Sequence, residues 1–310
     1  MSESAVPVDV VFVLDTSGSM TNGRSTSMVT ATNAAIKSLM ASNENNRVGV
    51  VAFSGSSSGF FGGGTAAAEV LSALAHYNDD AATNHLRWAN NKGNVSSNGS
   101  YILGRGANAG SRHGVNGGTN IHAGIALAAE MLMSATSTTV QVDGRTVTRM
   151  PFLVVLSDGA PTYSAYTSNG SDNNWYDPNM TNQHGDGNSP YAGNGFLPAL
   201  TAAYYKGKIT EKYFGSSASE QNRCYVYTIG VGLDTLDDQE AKALAQITMN
   251  PKEYFKSGSD NYFYNRNGNN DFDSYWSKYN AARPSDFTVE VNDGNNSTTS
   301  ITVDSINATK

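Results

Sequence analysis

Two aspartates stand where apolar runs stop. Asp15 directly follows Val8 to Leu14 (VDVVFVL), and Asp158 follows Phe152 to Ser157 (FLVVLS). Hydroxyl residues gather beside the first of them: Thr16, Ser17 and Ser19 lie in the turn-like DTSGSM. Another, Thr119, follows Gly117-Gly118 at the start of a helical pattern. Nearly continuous β-branched runs are what a strand buried on both faces of a parallel sheet looks like. Open α/β sheets bind ligands outside the carboxyl ends of such strands, near a switch point in strand order. Two buried aspartates there are costly without a counter-charge, and a divalent cation is the natural one. Every candidate ligand is an oxygen atom, which favours Mg²⁺ or Mn²⁺ over zinc or copper. If the hydroxyls bind directly and the aspartates act mostly through water, the ion stays electron-poor and can accept an external carboxylate. That chemistry is capture, not turnover. Taken alone, D-x-S-x-S in a Ser-rich chain also reads as a loop with an Asx turn. Its place after a buried strand, with Thr119 and Asp158 at matching boundaries, favours the metal reading.

The elements that must position these residues follow from periodicity. After the first strand, Met28, Thr32, Ala35, Ile36 and Leu39 recur at helical spacing, and Val48 to Phe53 (VGVVAF) reads as a second strand. Ala66 to Leu74 is apolar and fits either a strand or a helix. Ile121, Ile125, Ala128 and Leu132 mark a helix to about Ala135. Asp143-Gly144 between alternating β-formers (Val140 to Val147) is a two-residue hairpin signal. Further strands are expected at Phe152 to Leu156 and Tyr225 to Val231. Helices are expected at Leu197 to Phe214, across Leu236 to Ile247, and across Phe272 to Tyr279. Alternating strands and helices predict an α/β fold, doubly wound, with a mostly parallel central sheet flanked by helices. Two polar stretches, about 56–117 and 161–196, read as inserted arms packed on the surface, since structureless loops of that length are uncommon within a domain. Phe287, Val289, Val291, Ile301 and Val303 alternate around NDGNN as a β-hairpin. The expected division is therefore a domain over 1–284 and a β segment over 285–310 that starts, or pairs with, an adjacent β domain.

VFVLDTSGSM (Val11 to Met20), GGTNI (Gly117 to Ile121) and VVLSDGAP (Val154 to Pro161) together resemble, in order, the three segments of the metal-ion-dependent adhesion site of von Willebrand factor type A domains. The resemblance implies a metal set of Asp15, Ser17 and Ser19 from the first segment, Thr119 from the second and Asp158 from the third. All five positions match the family pattern. The low charge, the Asn/Gly/Ser/Thr-rich surface, the inserted arms and the trailing β segment resemble the adhesive domains of Gram-positive pilus tips and cell-wall-anchored adhesins. What that implies is an extracellular adhesion module on the cell wall or pilus surface. It would bind a protein ligand through Mg²⁺ or Mn²⁺ and the ligand's Asp or Glu. Host matrix protein is one candidate, with pilin or Ig-like β domains of the same parent protein as neighbours. The chain reads as an excised fragment. Two other readings stay open: a structural pilus or cell-wall module whose metal only stabilises it, and an intracellular assembly module.

Composition bounds these readings. The 310 residues are 39% apolar, enough for a substantial core, and no apolar run approaches the roughly 20 residues of a bilayer span. Charged residues are 15%, against a usual share of about 25%. A net charge of −7 without a basic stripe argues against nucleic acid as a partner. The single cysteine, Cys224, excludes an internal disulfide framework and a Cys-based zinc site, and reads as an inert core thiol. Gly55 to Gly59 formally matches GxSxG, but glycines rather than a helix follow it. No nucleophile, base and oxyanion arrangement can be assembled, so the chain reads as a non-enzyme. Asp172, Asp177 and Asp186 in the second arm, and the stretch Asp260 to Asp273, could hold Ca²⁺. Neither matches an EF-hand loop, and solvated polar loop is the better reading. Trp88, Tyr101, Trp175, Tyr176 and Tyr191 either anchor the arms or form a contact surface beside the metal, where aromatic hot spots are enriched.

Overall fold

In the computed structural model the described residues are 6–21, 23–55, 67–78, 85–89, 100–105, 112–115, 117–159, 161–166, 182–185, 187, 192–232, 287–292 and 298–303. The chain runs through β1 (Val8–Asp15), α1 (Arg24–Ser42), β2 (Arg47–Phe53), β3 (Ala68–Ala75), and the short strands β4 (Arg87–Ala89), β5 (Tyr101–Leu103) and β6 (Arg112–Gly114). It continues through α2 (Ile121–Met133), the hairpin β7 (Thr139–Val142) and β8 (Arg145–Thr148), β9 (Met150–Ser157), β10 (Tyr163–Tyr166) and β11 (Asn182–Gly185). Then come α3 (Ala192–Phe214), β12 (Tyr225–Gly230), and the hairpin β13 (Phe287–Asn292) and β14 (Thr298–Val303).

Five strands form the central sheet in the order β12-β9-β1-β2-β3. The β12/β9, β9/β1 and β1/β2 pairs are parallel, and only β3 runs antiparallel, along an edge. Strand order reverses at β1: β2 lies on one side of it and β9 on the other. The crevice at the carboxyl ends of β1 and β9 is therefore the switch point. Helices cover both faces. Val10, Phe12, Leu14, Val48, Val50 and Ala52 pack with Met28, Ile36 and Met40 of α1. Val11, Val13, Val51, Phe53, Leu153 and Val155 pack with Ile125, Leu132, Ala202 and Ile209 of α2 and α3. This two-sided burial is why β1 and β2 lack an apolar/polar alternation. The fold is the mixed, mostly parallel α/β sheet flanked by helices that the strand and helix pattern predicts.

Three details refine the sequence reading. Ala68–Ala75, which fell inside the first inserted stretch, is instead the edge strand of the main sheet, paired with β2. Most of its residues are only partly buried, which carries too little alternation to separate strand from helix. The arm proper is a small sheet, β4-β5-β6, tied to α1 by Asn33, whose side chain bonds both the N–H and the C=O of Leu86. The predicted hairpin forms as β7/β8, with Asp143 and Gly144 both at positive φ (49° and 75°) as a type I′ turn requires. The terminal hairpin pairs Phe287 with Val303 and Val289 with Ile301. The helices expected across 236–247 and 272–279 lie outside the described residues. Among the described residues no helix is long and apolar enough to cross a membrane.

At the amino end of β1, Asp9 is fully buried and fully satisfied. Arg47 donates to it twice, at 2.8 and 2.6 Å, and Tyr213 donates at 2.7 Å. Arg149 lies 3.7 Å away. Burial first, then the Asp9 charge, pushes the Tyr213 phenol well above its ordinary range. Breaking a buried pair from one side leaves an uncompensated charge. Arg47→Ala is therefore expected to destabilise the fold by about 3 kcal/mol, measured by urea unfolding. A loss under about 1 kcal/mol would mean that Arg149 and Tyr213 suffice for Asp9.

Candidate metal centre at the switch point

Asp15 is the last residue of β1 and is fully buried. Its Oδ1 accepts the Ser17 N–H at 2.8 Å and its Oδ2 accepts the Ser157 hydroxyl at 2.5 Å. The first bond is the Asx-turn geometry that a D-x-S sequence allows, and here it orders the loop. Thr16 is used differently from its neighbours. Its N–H and hydroxyl both donate to the Phe53 carbonyl, at 2.8 and 2.7 Å, pinning the loop to the end of β2. Thr16 is thus an anchor, while Ser17 and Ser19 face the crevice. A short 3₁₀ turn over Gly18–Met20 brings the Ser17 and Ser19 hydroxyl oxygens to 3.0 Å. Ser19 donates to Asp158 Oδ1 at 2.8 Å. Since that uses its only hydrogen, Ser17 is the donor in the Ser17–Ser19 contact.

Thr119 is carried to the same place by backbone contacts. The Gly18 N–H donates to the Gly117 carbonyl at 2.8 Å, and Gly117 has φ of 78°, a conformation glycine adopts without strain. Gly118 forms an isolated antiparallel bridge with Gly55, against the Tyr163 ring. A Cβ on Gly118 would lie 2.6 Å from that ring, so a side chain there would prise the segment away. Thr119 then donates its N–H to the Thr162 hydroxyl at 2.8 Å and accepts the N–H groups of Thr162 and Tyr163 at 2.9 and 3.0 Å. The residue is 5% exposed. The helix cap is Asn120, whose side chain accepts the Ala123 N–H at 3.1 Å. Thr119 thus stands one residue outside the cap, at the positive end of α2.

Asp158, 1% exposed, completes the group. Its Oδ2 accepts from Arg24 Nη1 at 2.6 Å. Burial first, then the neighbouring Asp158 charge, pushes the Asp15 carboxyl up to about 6, although the bonds from Ser157 and Ser17 act the other way. Asp9, at the other end of the same strand, has two arginines and a tyrosine around one carboxylate. Here, of two buried carboxylates, only Asp158 meets an arginine, and that arginine is partly exposed. The electrostatics and an all-oxygen donor set of two carboxylates and three hydroxyl residues fit a hard divalent cation. Among the described residues no three of His, Cys, Asp and Glu come together as a metal cluster.

The structure thus gathers Asp15, Ser17, Ser19 and Asp158 in one hydrogen-bonded chain, with Thr119 held alongside through Gly117 and Gly118. It adds Ser157 and Arg24, which sequence reasoning missed. Ser157 directly precedes the predicted Asp158, but that its hydroxyl reaches Asp15 depends on sheet register. Of the arm aromatics, Trp88 lies opposite Ile102 and packs on the α1-side core, and Tyr101 pairs with Ala89 and Gly114. Trp175, Tyr176 and Tyr191, the aspartates Asp172, Asp177 and Asp186, and the stretch Asp260 to Asp273 lie outside the described residues. Cys224 is buried, and burial pushes its thiol up to about 12, as for an unreactive core cysteine.

Comparison with known proteins gives a match of residues 10–92 to the family model of the von Willebrand factor type A domain. The match includes the D-x-S-x-S loop and stops short of Thr119 and Asp158. Similar solved structures include the pilus adhesin SpaC from Lactobacillus rhamnosus GG in its open conformation, at 20% identity and a TM-score of 0.44. The alignment covers 79% of this chain and 27% of that one. The PilB minor pilin from Streptococcus sanguinis is 16% identical with a TM-score of 0.43, covering 80% of this chain and 55% of that one. The vWF domain of the type V pili tip protein Mfa5 from Porphyromonas gingivalis is 17% identical with a TM-score of 0.33, covering 55% and 47%. The chain therefore spans about a quarter of the length of SpaC and about half that of PilB. No curated protein matches the chain.

The raised Asp15 carboxyl gives a pH prediction. Its folded-state value, about 6, exceeds the ordinary 3.8, so between these values the folded chain binds more protons than the unfolded one. Stability then falls as pH rises through this window. A shift of this size is worth about 3 kcal/mol. In EDTA, the wild-type chain is expected to lose about that much relative to Asp15→Asn between pH 4 and 7, by thermal or urea unfolding at stepped pH. Saturating Mg²⁺ is expected to flatten the difference. Parallel pH profiles in EDTA would contradict the assignment.

Proposed function

We propose that the chain is an extracellular adhesion module that captures a protein ligand through a divalent cation. The observation that carries the reading is the convergence of three hydroxyl residues and two buried carboxylates from three separate chain segments at the switch point of the sheet. Ser17, Ser19 and Thr119 are the direct ligands in this reading, and Asp15 and Asp158 balance charge. When bound, Mg²⁺ or Mn²⁺ supplies a Lewis-acidic position that an Asp or Glu of the partner fills. Asp15 is shielded by Ser157 and Ser17, so it orients the loop rather than meeting the partner. Ser19 is the exposed member of the set and marks the side from which the partner's carboxylate arrives. The helix dipole of α2 adds a favourable field for an incoming anion.

The module binds and does not turn over its ligand. The Ser17 hydroxyl bonds to that of Ser19, and Ser19 to Asp158, so neither is paired with a histidine or lysine. The Ser72–His85 pair, at 2.7 Å, is fully buried beneath the arm, where Ser72 also accepts the Arg105 N–H. Burial, and then the Arg105 charge, pushes His85 down to about 4. A location on the bacterial cell wall or pilus surface is part of the proposal, supported by the uncharged polar composition. The β13/β14 hairpin is read as belonging to a neighbouring β domain.

The test is binding of the purified chain to a panel of extracellular-matrix proteins in Mg²⁺, in EDTA, and with Asp158→Ala. Binding lost in EDTA and in the variant, by a factor of about 100 or more, is the expected result. Undiminished binding in both would remove the metal from the mechanism and turn attention to the arms. An EDTA-dependent fall in melting temperature without metal-dependent binding to any partner would favour a structural module.

A further inference from the structure

Arg24 opens α1, yet its side chain leaves the helix and crosses the crevice. Nη1 donates to Asp158 Oδ2 at 2.6 Å and to the Ser19 carbonyl at 3.3 Å. The Arg24 side chain is 31% exposed, while the Asp158 side chain it meets is fully buried. Its stem is threaded under the loop after β12. A Cβ on Gly232 would lie 2.9 Å from Arg24 Nε, and φ there is 70°. That loop is in turn fastened to the end of β9 by the Val231 N–H, which donates to the Ser157 carbonyl at 2.9 Å. The arginine is therefore seated on a built path and does not simply wander at the surface. It meets Asp158 on the oxygen that Ser19 leaves free.

We propose that Arg24 is a resident counter-cation that competes with the divalent metal for Asp158 and so weakens the metal affinity of the site. The inference rests on the metal reading of the site. With Arg24 in place, both Asp158 oxygens already accept a hydrogen bond, and an incoming cation meets a fixed positive charge. A cation drawing on Asp158 must displace the guanidinium or share the carboxylate with it, and either route opposes binding. The same contact supplies the positive charge that a buried Asp158 needs when no metal is present. Arg24 is a positioning residue and not a metal ligand.

The test is titration of the chain with Mn²⁺, read by the electron paramagnetic resonance of the free ion, for wild type, Arg24→Gln and Arg24→Lys. Melting temperatures in EDTA and in saturating Mg²⁺ accompany it. Arg24→Gln is expected to bind Mn²⁺ about ten-fold tighter than wild type. It should melt lower in EDTA and show a larger rise on adding Mg²⁺. Arg24→Lys, which keeps the charge, is expected to stay within about three-fold of wild type. Equal or weaker Mn²⁺ binding by Arg24→Gln would overturn the proposal and leave the metal reading standing, as would an equal gain in Arg24→Lys. Absence of Mn²⁺ binding in all three chains would overturn the metal reading itself, and the proposal with it.

Discussion

Two carboxylates are buried side by side at the carboxyl ends of β1 and β9 with too little positive charge around them, and the local structure is organised by that shortage. A buried carboxylate needs either hydrogen bonds or a cation. Asp15 takes the first course: Ser17 and Ser157 cap its two oxygens, and the Asx-type turn that results sets the direction of the loop. Asp158 takes both, through Ser19 and Arg24. The remaining deficit is visible in the raised Asp15 carboxyl. The two ends of β1 make a controlled comparison. Asp9 and Asp15 lie on the same face of one strand, since six residues separate them and the side-chain period is two. One is neutralised by a bidentate arginine, a second arginine and a tyrosine. The other has only the Ser17 N–H and the Ser157 hydroxyl, and the one guanidinium nearby is bonded to Asp158 instead. The first arrangement closes a structure, and the second leaves two acids close together with little positive charge.

Topology explains why the shortage falls where it does. Parallel strands on either side of a switch point send their following loops apart, which opens a crevice at their carboxyl ends. β1 and β9 are direct neighbours, paired through Leu14 and Leu156, so the residues just beyond them meet although more than 140 positions separate them in sequence. The third segment, at Thr119, is tied to the first by the Gly18 N–H, which donates to the Gly117 carbonyl. It is not a strand end but the lead into α2, and it is held by backbone bonds at Gly117, Gly118 and Thr119 itself.

Much of this was legible in the residues. The runs at Val10 to Leu14 and Val48 to Phe53 are buried on both faces, and such runs have few alternatives; in Phe152 to Leu156 the face carrying Phe152 and Val154 is only partly buried. The Asp143-Gly144 turn is fixed by backbone chemistry at two adjacent residues. The site aspartates and hydroxyls stand at boundaries between elements, where periodicity stops and is easily seen. What was not legible depends on register or on distance. Ala68–Ala75 reads as either element because an edge strand with one face half-covered needs no clean alternation. Thr16 resembles Ser17 and Ser19 in sequence and differs only in that the Phe53 carbonyl lies within reach. Ser157 and Arg24 are ordinary residues until the sheet sets them beside Asp15 and Asp158, which local pattern cannot foresee.

The arm and the site are linked through α1, and that link constrains how the first insertion can act. Arg24 at the first turn bonds to Asp158, and Asn33, nine residues on, clamps the backbone of Leu86 at the start of the arm. At 1.5 Å per residue the two contacts are about 13 Å apart along one rigid helix. Trp88, packed on the α1-side core, holds the arm to that helix by burial. An aromatic used this way contributes its buried apolar area to the arm's seating. Trp88 and Asn33 together seat the start of the first arm on α1, one by apolar contact and the other by hydrogen bonds to Leu86.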